Sequence, residues 1–158
     1  MTETKYIFGI LLLGLAVAAL LVSTVVKRNK CARLYEQAVL AAQNGKTEDL
    51  LATLVQAEKL WDFNVGNGNL KSNLQDINLL ESIFRKLNSL PLPGPARTAC
   101  ESTLKLVVEL NSLFSDRSNF GIDGRSMKPE AARRWASLKP QLDSARAEFR
   151  SALPTTTT

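Results

Sequence analysis

The stretch YIFGILLLGLAVAALLVSTVVKRNKCARLYEQ, Tyr6 to Gln37, passes from hydrocarbon through clustered cations into a polar helical pattern. Its apolar part, Tyr6 to Val26, carries no charge. At about 1.5 Å of rise per residue it spans roughly 31 Å as a helix, close to a bilayer hydrocarbon core of about 30 Å. A secretory signal has a shorter core, about 7–15 residues, closed by a small-x-small site. Ala16-Val17-Ala18 imitates such a site, but the apolar chain continues through Ala19, Leu20, Leu21 and Val22, and Glu3 offsets Lys5 before it. The expectation is a retained anchor: a tail at 1–5, a transmembrane helix at 6–26, a helical domain at 27–153 and a disordered threonine tail at 154–158.

Lys27, Arg28, Lys30 and Arg33 follow the span directly, against Lys5 alone before it. Lys and Arg resist translocation, so the richer flank points to a single-pass membrane protein with its domain in the cytoplasm. No Asn is followed two residues later by Ser or Thr, so no glycosylation acceptor argues for the opposite side. The same domain outside the cytoplasm, as a cell-envelope component of a secretion, division or lysis assembly, is the alternative.

The chain of 158 residues leaves material for one modest domain beyond the span. Hydrophobic residues make up 45% and charged residues 22%, which is globular composition. The net charge of +5 suits an anionic surface without demanding nucleic acid, which is not an expected partner. Histidine is absent, and the two cysteines, Cys31 and Cys100, have no ligand spacing, so neither a metal nor a cofactor is expected. Without histidine a serine or cysteine nucleophile lacks its commonest base, and no phosphate-binding glycine loop occurs; the reading is not an enzyme.

Past the span, every ordered segment has helical spacing and the fold class is all-α, with about four to five helices in a small bundle. Leu34, Ala38, Ala41 and Ala42 lead to Gly45 as a C-cap, with no Pro or Gly between Val26 and that glycine, so the membrane helix is expected to continue as a stalk. Thr47 suits the N-cap of a second helix with Leu50, Leu51, Leu54, Ala57 and Trp61 on its face. A third helix is expected from about Asn73, with Leu74, Ile77, Leu80, Phe84 and Leu87 inward. PLPGP, Pro91 to Pro95, ends it and places Pro95 at the first position of a fourth helix carrying Leu104, Val107, Leu110 and Phe114. Ala131, Trp135, Leu138, Leu142, Ala145, Phe149 and Ala152 form a regular seam on a last helix, with a kink or break expected near Leu138–Lys139 because Pro140 lacks a donor. Two long connections remain, 63–72 and 115–128. Asp116, Ser118, Asn119 and Asp123 in the second invite calcium, but the loop lacks an EF-hand's alternating ligands and closing Glu, and an irregular exposed connection is expected.

The segment ARLYEQAVLAAQNGKTEDLLATLVQAEKL, Ala32 to Leu60, resembles a single tetratricopeptide-type helical hairpin. Leu34, Ala38, Ala41, Gly45, Leu50, Leu54 and Ala57 stand at that family's packing positions. Thr47 and Asp62 depart from its aromatic and proline, and no second copy follows at the usual period. The resemblance implies peptide or protein binding.

Two features suggest contacts. Gly9, Ala16, Ala19 and Ser23 share one face of the membrane helix, a small-residue surface suited to a homodimer. Arg125, Lys128, Arg133, Arg134, Lys139, Arg146 and Arg150 face only Glu130, Asp143 and Glu148 in sequence, and Arg133, Arg134, Arg146 and Arg150 are the candidate basic surface. Glu130–Arg134 and Lys139–Asp143 are spaced to pair along the helix. The functional expectation is a membrane-anchored adaptor or scaffold that binds the lipid bilayer and an unidentified protein partner.

Overall fold

The structure, a computed structural model, describes the backbone of residues 2–45, 49–61 and 70–153, and their side chains from Val22 onward except Thr24. Among the described residues it is all helical: α1 (Thr2–Gln43), α2 (Leu50–Leu60), α3 (Leu70–Asn88), α4 (Gly94–Ser115), a 3-10 turn (Arg117–Asn119) and α5 (Pro129–Ala152). Most of the apolar run has its side chains outside the described residues. Among the described residues no helix is long and apolar enough to cross a membrane. The expected Thr47 cap, the connection 63–69 and the tail 154–158 likewise lie outside them.

The stalk is continuous. One helix runs from Thr2 to Gln43, and Gly45, at a φ of +70°, ends it in the left-handed conformation that glycine adopts without a Cβ clash. Its second half packs along α2, burying Cys31 and Ala38 against Leu54 and Ala57. Helices α3, α4 and α5 form the larger body. They alternate in direction, as contacts at both ends show: Arg97 reaches Leu90 and Asn111 reaches Asn78 across α3 and α4, while Glu109 meets Arg134 across α4 and α5. Their common core holds Ile77, Leu80, Phe84, Val107, Leu110 and Phe149. Phe84 and Phe149 meet edge to face with centroids 5.4 Å apart.

Three boundaries differ from expectation. Helix α3 begins at Leu70 rather than near Asn73, so the end of the presumed loop is helical. Helix α4 begins at Gly94, putting Pro95 one position later than expected, still within the first turn where its missing N–H costs no helical bond. Of the kink or break expected in α5, the break does not occur: the helix continues through Pro140. Pro140 and Ala136 are both exposed, so the carbonyl that loses its partner faces water, and Gln141 Nε2 donates to the adjacent Ser137 carbonyl at 2.9 Å.

Candidate functional site

Two polar clusters join the α1–α2 hairpin to the three-helix body. In the first, Glu58 lies on the core-facing side of α2 beside Ala57 and is completely buried. Its Oε1 accepts from Arg146 Nε at 2.6 Å and from Arg150 Nη1 at 2.9 Å, and Oε2 accepts from Arg150 Nη1 at 3.2 Å. Arg146 also donates through Nη2 to the Glu58 and Trp61 carbonyls, at 3.0 and 3.3 Å, and its guanidinium sits 4.7 Å from the Trp61 ring centroid. A cation at the C-terminal end of α2 thus satisfies carbonyls that the helix leaves without partners and complements the local dipole. A planar five-donor group can serve a carboxylate, two carbonyls and an aromatic face at once.

The second cluster centres on Arg28. Its Nε pairs with Asp76 at 2.7 Å, Nη1 donates to Ser72 Oγ at 2.9 Å, and Nη2 donates to Gln75 Oε1 at 2.7 Å. Trp61 Nε1 donates to the Asp76 carbonyl at 2.8 Å, tying the end of α2 into the same place. Of the four cations that follow the apolar run, Arg28 therefore fastens the start of α3 to α1, while Lys27, Lys30 and Arg33 are exposed.

The basic surface expected on α5 is corrected by this arrangement. Arg146 is 8% exposed and Arg150 is turned onto Glu58, because both fall on the same helical face as Leu142 and Phe149. Arg133 remains exposed. Arg134 pairs with Glu109 of α4 at 2.9 Å rather than with Glu130, whereas Lys139 and Asp143 pair along the helix at 2.7 Å. Of the expected small-residue face, Ser23 is exposed and Gly9, Ala16 and Ala19 lie outside the described side chains.

The connection 116–128 is built, not irregular. Phe120 is buried against Phe114, with centroids 5.5 Å apart, and pairs as an isolated antiparallel bridge with Met127. Gly121 N donates to the Ser126 carbonyl at 2.8 Å and Lys128 N to the Asn119 carbonyl at 2.9 Å. Asp123 Oδ1 accepts from the backbone N–H groups of Arg125 and Ser126, and Oδ2 from Ser126 Oγ. Those donors hold its carboxyl below the usual carboxylate range. Asp116 does the same one turn earlier, its pKa lowered by hydrogen bonding from Ser118. Both carboxylates are thereby used inside the loop, and among the described residues no cluster of acidic or thiol groups could hold a metal. Gly124, at a φ of +62°, lets the chain turn, and its carbonyl accepts from Leu70 N at 3.3 Å. The tip presents Ile122 wholly to solvent. A groove of about 380 Å³ lies between this loop and the start of α3, floored by Leu70, Leu74 and Phe120 and edged by Lys71 and Arg117.

Cys31 and Cys100 are both fully buried and far apart in the helical order, donating to the Ala57 and Phe84 carbonyls. Burial pushes each thiol up to about 11. They are inert packing groups at neutral pH. No protein-family model, curated protein or solved structure matches the chain.

Proposed function

We propose that this chain is a membrane-anchored helical interaction module, a non-catalytic adaptor or scaffold whose anchor and first bundle helix are one element. The observation that carries the reading is the continuity of α1, whose sequence is bilayer-length hydrocarbon before Lys27 and whose packing begins at Arg28. Val22, Val25 and Val26 are each more than half exposed, a poor arrangement in water and a natural one in lipid. The strongest polar constellation, Glu58 with its two arginines, is closed on itself and offers no group to a substrate. Among the described residues, the exposed large apolar side chains on the bundle's helices are Leu40 and Val108, besides Ile122 in the loop, and Val108 borders a shallow groove with Leu104, Arg85 and Glu101, a surface of the kind that meets another protein.

The test begins with full-length protein in native membranes. Retention through alkaline carbonate supports the anchor, and release into the supernatant ends it. Sidedness is read with an impermeant maleimide on a Thr98→Cys variant. Thr98 is exposed, whereas Cys100 is sealed in the core and cannot report. Labelling only after permeabilisation places the bundle in the cytoplasm, and labelling in intact cells establishes the envelope alternative. A photo-reactive residue at Val108 should trap one discrete polypeptide; absence of any adduct there and at Leu40 argues against the adaptor role.

A further inference from the structure

We infer that the 116–128 loop is a second membrane contact, in which Ile122 enters the headgroup layer of an anionic leaflet while neighbouring cations meet lipid phosphates. The inference rests on the anchor reading and extends it to the loop. Arg28 stands two residues beyond Val26, about 3 Å further along the helix, and the headgroup layer on each side of the hydrocarbon is roughly 5–8 Å deep. Its guanidinium therefore lies at headgroup depth. That same guanidinium holds Ser72 and Asp76, so the first turn of α3, Leu70 and Lys71, lies within about a helical turn of it. Leu70 N in turn bonds the Gly124 carbonyl, and Ile122 is two residues away. Two contacts joined by short stretches of chain thus tie the loop tip to the level where the apolar run ends.

The loop's chemistry fits that level. Phe120 is buried beneath it and the Asp123 hydrogen bonds brace it, so Ile122 is presented rather than left loose. Lys71 and Arg117 line the groove together with Ile122, Arg125 and Lys128 follow in the same loop, and all four are exposed. The two loop acids, Asp116 and Asp123, are hydrogen-bonded within the loop and keep their charge, which leaves the four cations in excess. An exposed isoleucine with cations beside it is matched by apolar chains beneath anionic phosphates. A protein partner or a second copy would offer neither the depth coincidence nor the phosphate plane.

The test uses the full chain in nanodiscs of phosphatidylcholine with or without phosphatidylserine. Cysteine introduced by Ile122→Cys is labelled with an environment-sensitive fluorophore, the native thiols being buried, and Thr98→Cys at the opposite end of the α3–α4 pair serves as the control. The expected result is blue-shifted emission at 122, quenched by lipids spin-labelled near the headgroup and strongest with phosphatidylserine, beside water-like emission at 98. In the unlabelled protein, tryptic cleavage after Arg125 should slow about tenfold in anionic discs. If the chain enters the discs yet 122 behaves like 98 and cleavage is unchanged, the loop contact is wrong and the anchor stands. If the chain does not enter discs at all, the anchor reading fails and this one with it. A shift at 122 that appears in detergent and grows with protein concentration identifies a second copy and also overturns the proposal.

Discussion

Replacing Arg146 with alanine isolates the energetics of the joint between hairpin and body. The change removes a 2.6 Å bond to a fully buried carboxylate, two carbonyl contacts at 3.0 and 3.3 Å, and the stack on Trp61. Breaking a buried pair from one side costs about 3–5 kcal/mol, because the remaining charge is stranded without water. Here Arg150 keeps its bonds to Glu58, and with a side chain 34% exposed it can also recruit solvent, so the low end applies: about 3 kcal/mol. Glu58→Ala should cost a similar ~3 kcal/mol, since Arg146 is then left as the buried charge. The double replacement Glu58→Leu with Arg146→Leu discards both desolvation penalties along with the attraction, and should lie within about 1 kcal/mol of the parent. Chemical denaturation of the full chain in mild detergent, followed by the combined emission of Trp61 and Trp135, measures all three. A loss below about 1 kcal/mol for Arg146→Ala, or a double variant as unstable as the two singles added together, refutes the reasoning.

Other expectations follow from single features. Pro140→Ala restores a donor in the middle of a continuous helix and should stabilise by about 1–2 kcal/mol, seen as a higher Tm; no gain would mean that the proline is accommodated without cost. The buried thiols titrate near 11 when folded against an ordinary 9.0, so the folded state favours the neutral form. Their contribution is intact below about pH 9 and is lost as pH rises towards 11. A Cys31→Ala, Cys100→Ala protein should therefore show a shallower alkaline decline in denaturation midpoint than the parent. The Asp123 carboxylate is held low by the loop's N–H groups, so its bracing is present at neutral pH and disappears as pH falls through that depressed value. Asp123→Ala should speed tryptic cleavage after Arg125 in detergent, and an unchanged rate would show that Phe120 alone orders the loop.

The helical fold was legible because long segments keep one periodicity: Ile77, Leu80, Phe84 and Leu87 are inward as their spacing requires, as are Val107, Leu110 and Phe114. The break at Pro140 did not form because its cost depends on whether the vacated carbonyl faces water, which depends on the rotation of the helix against its neighbours. The arginines misled for the opposite reason. Counting charge along α5 treated Arg146 as solvated, although it falls between Leu142, Ala145 and Phe149 on the seam. Glu58 sits likewise between Leu54, Ala57 and Trp61. Opposite charges at inward positions on two helices were the available signal, but their meeting across 88 positions of chain needed the tertiary arrangement. The loop was invisible for another reason: its order comes from backbone hydrogen bonds and one buried phenylalanine, and neither produces a periodic pattern.

Helix α1 carries one more implication. Between Val26 and Gly45 the chain has no glycine or proline at which to swivel, and Arg28 bolts the shaft to α3. Any rolling or tilting of the oily end must reappear as movement of the whole assembly beyond it, so two such molecules touching through their apolar ends would also have the mutual bearing of their heads prescribed.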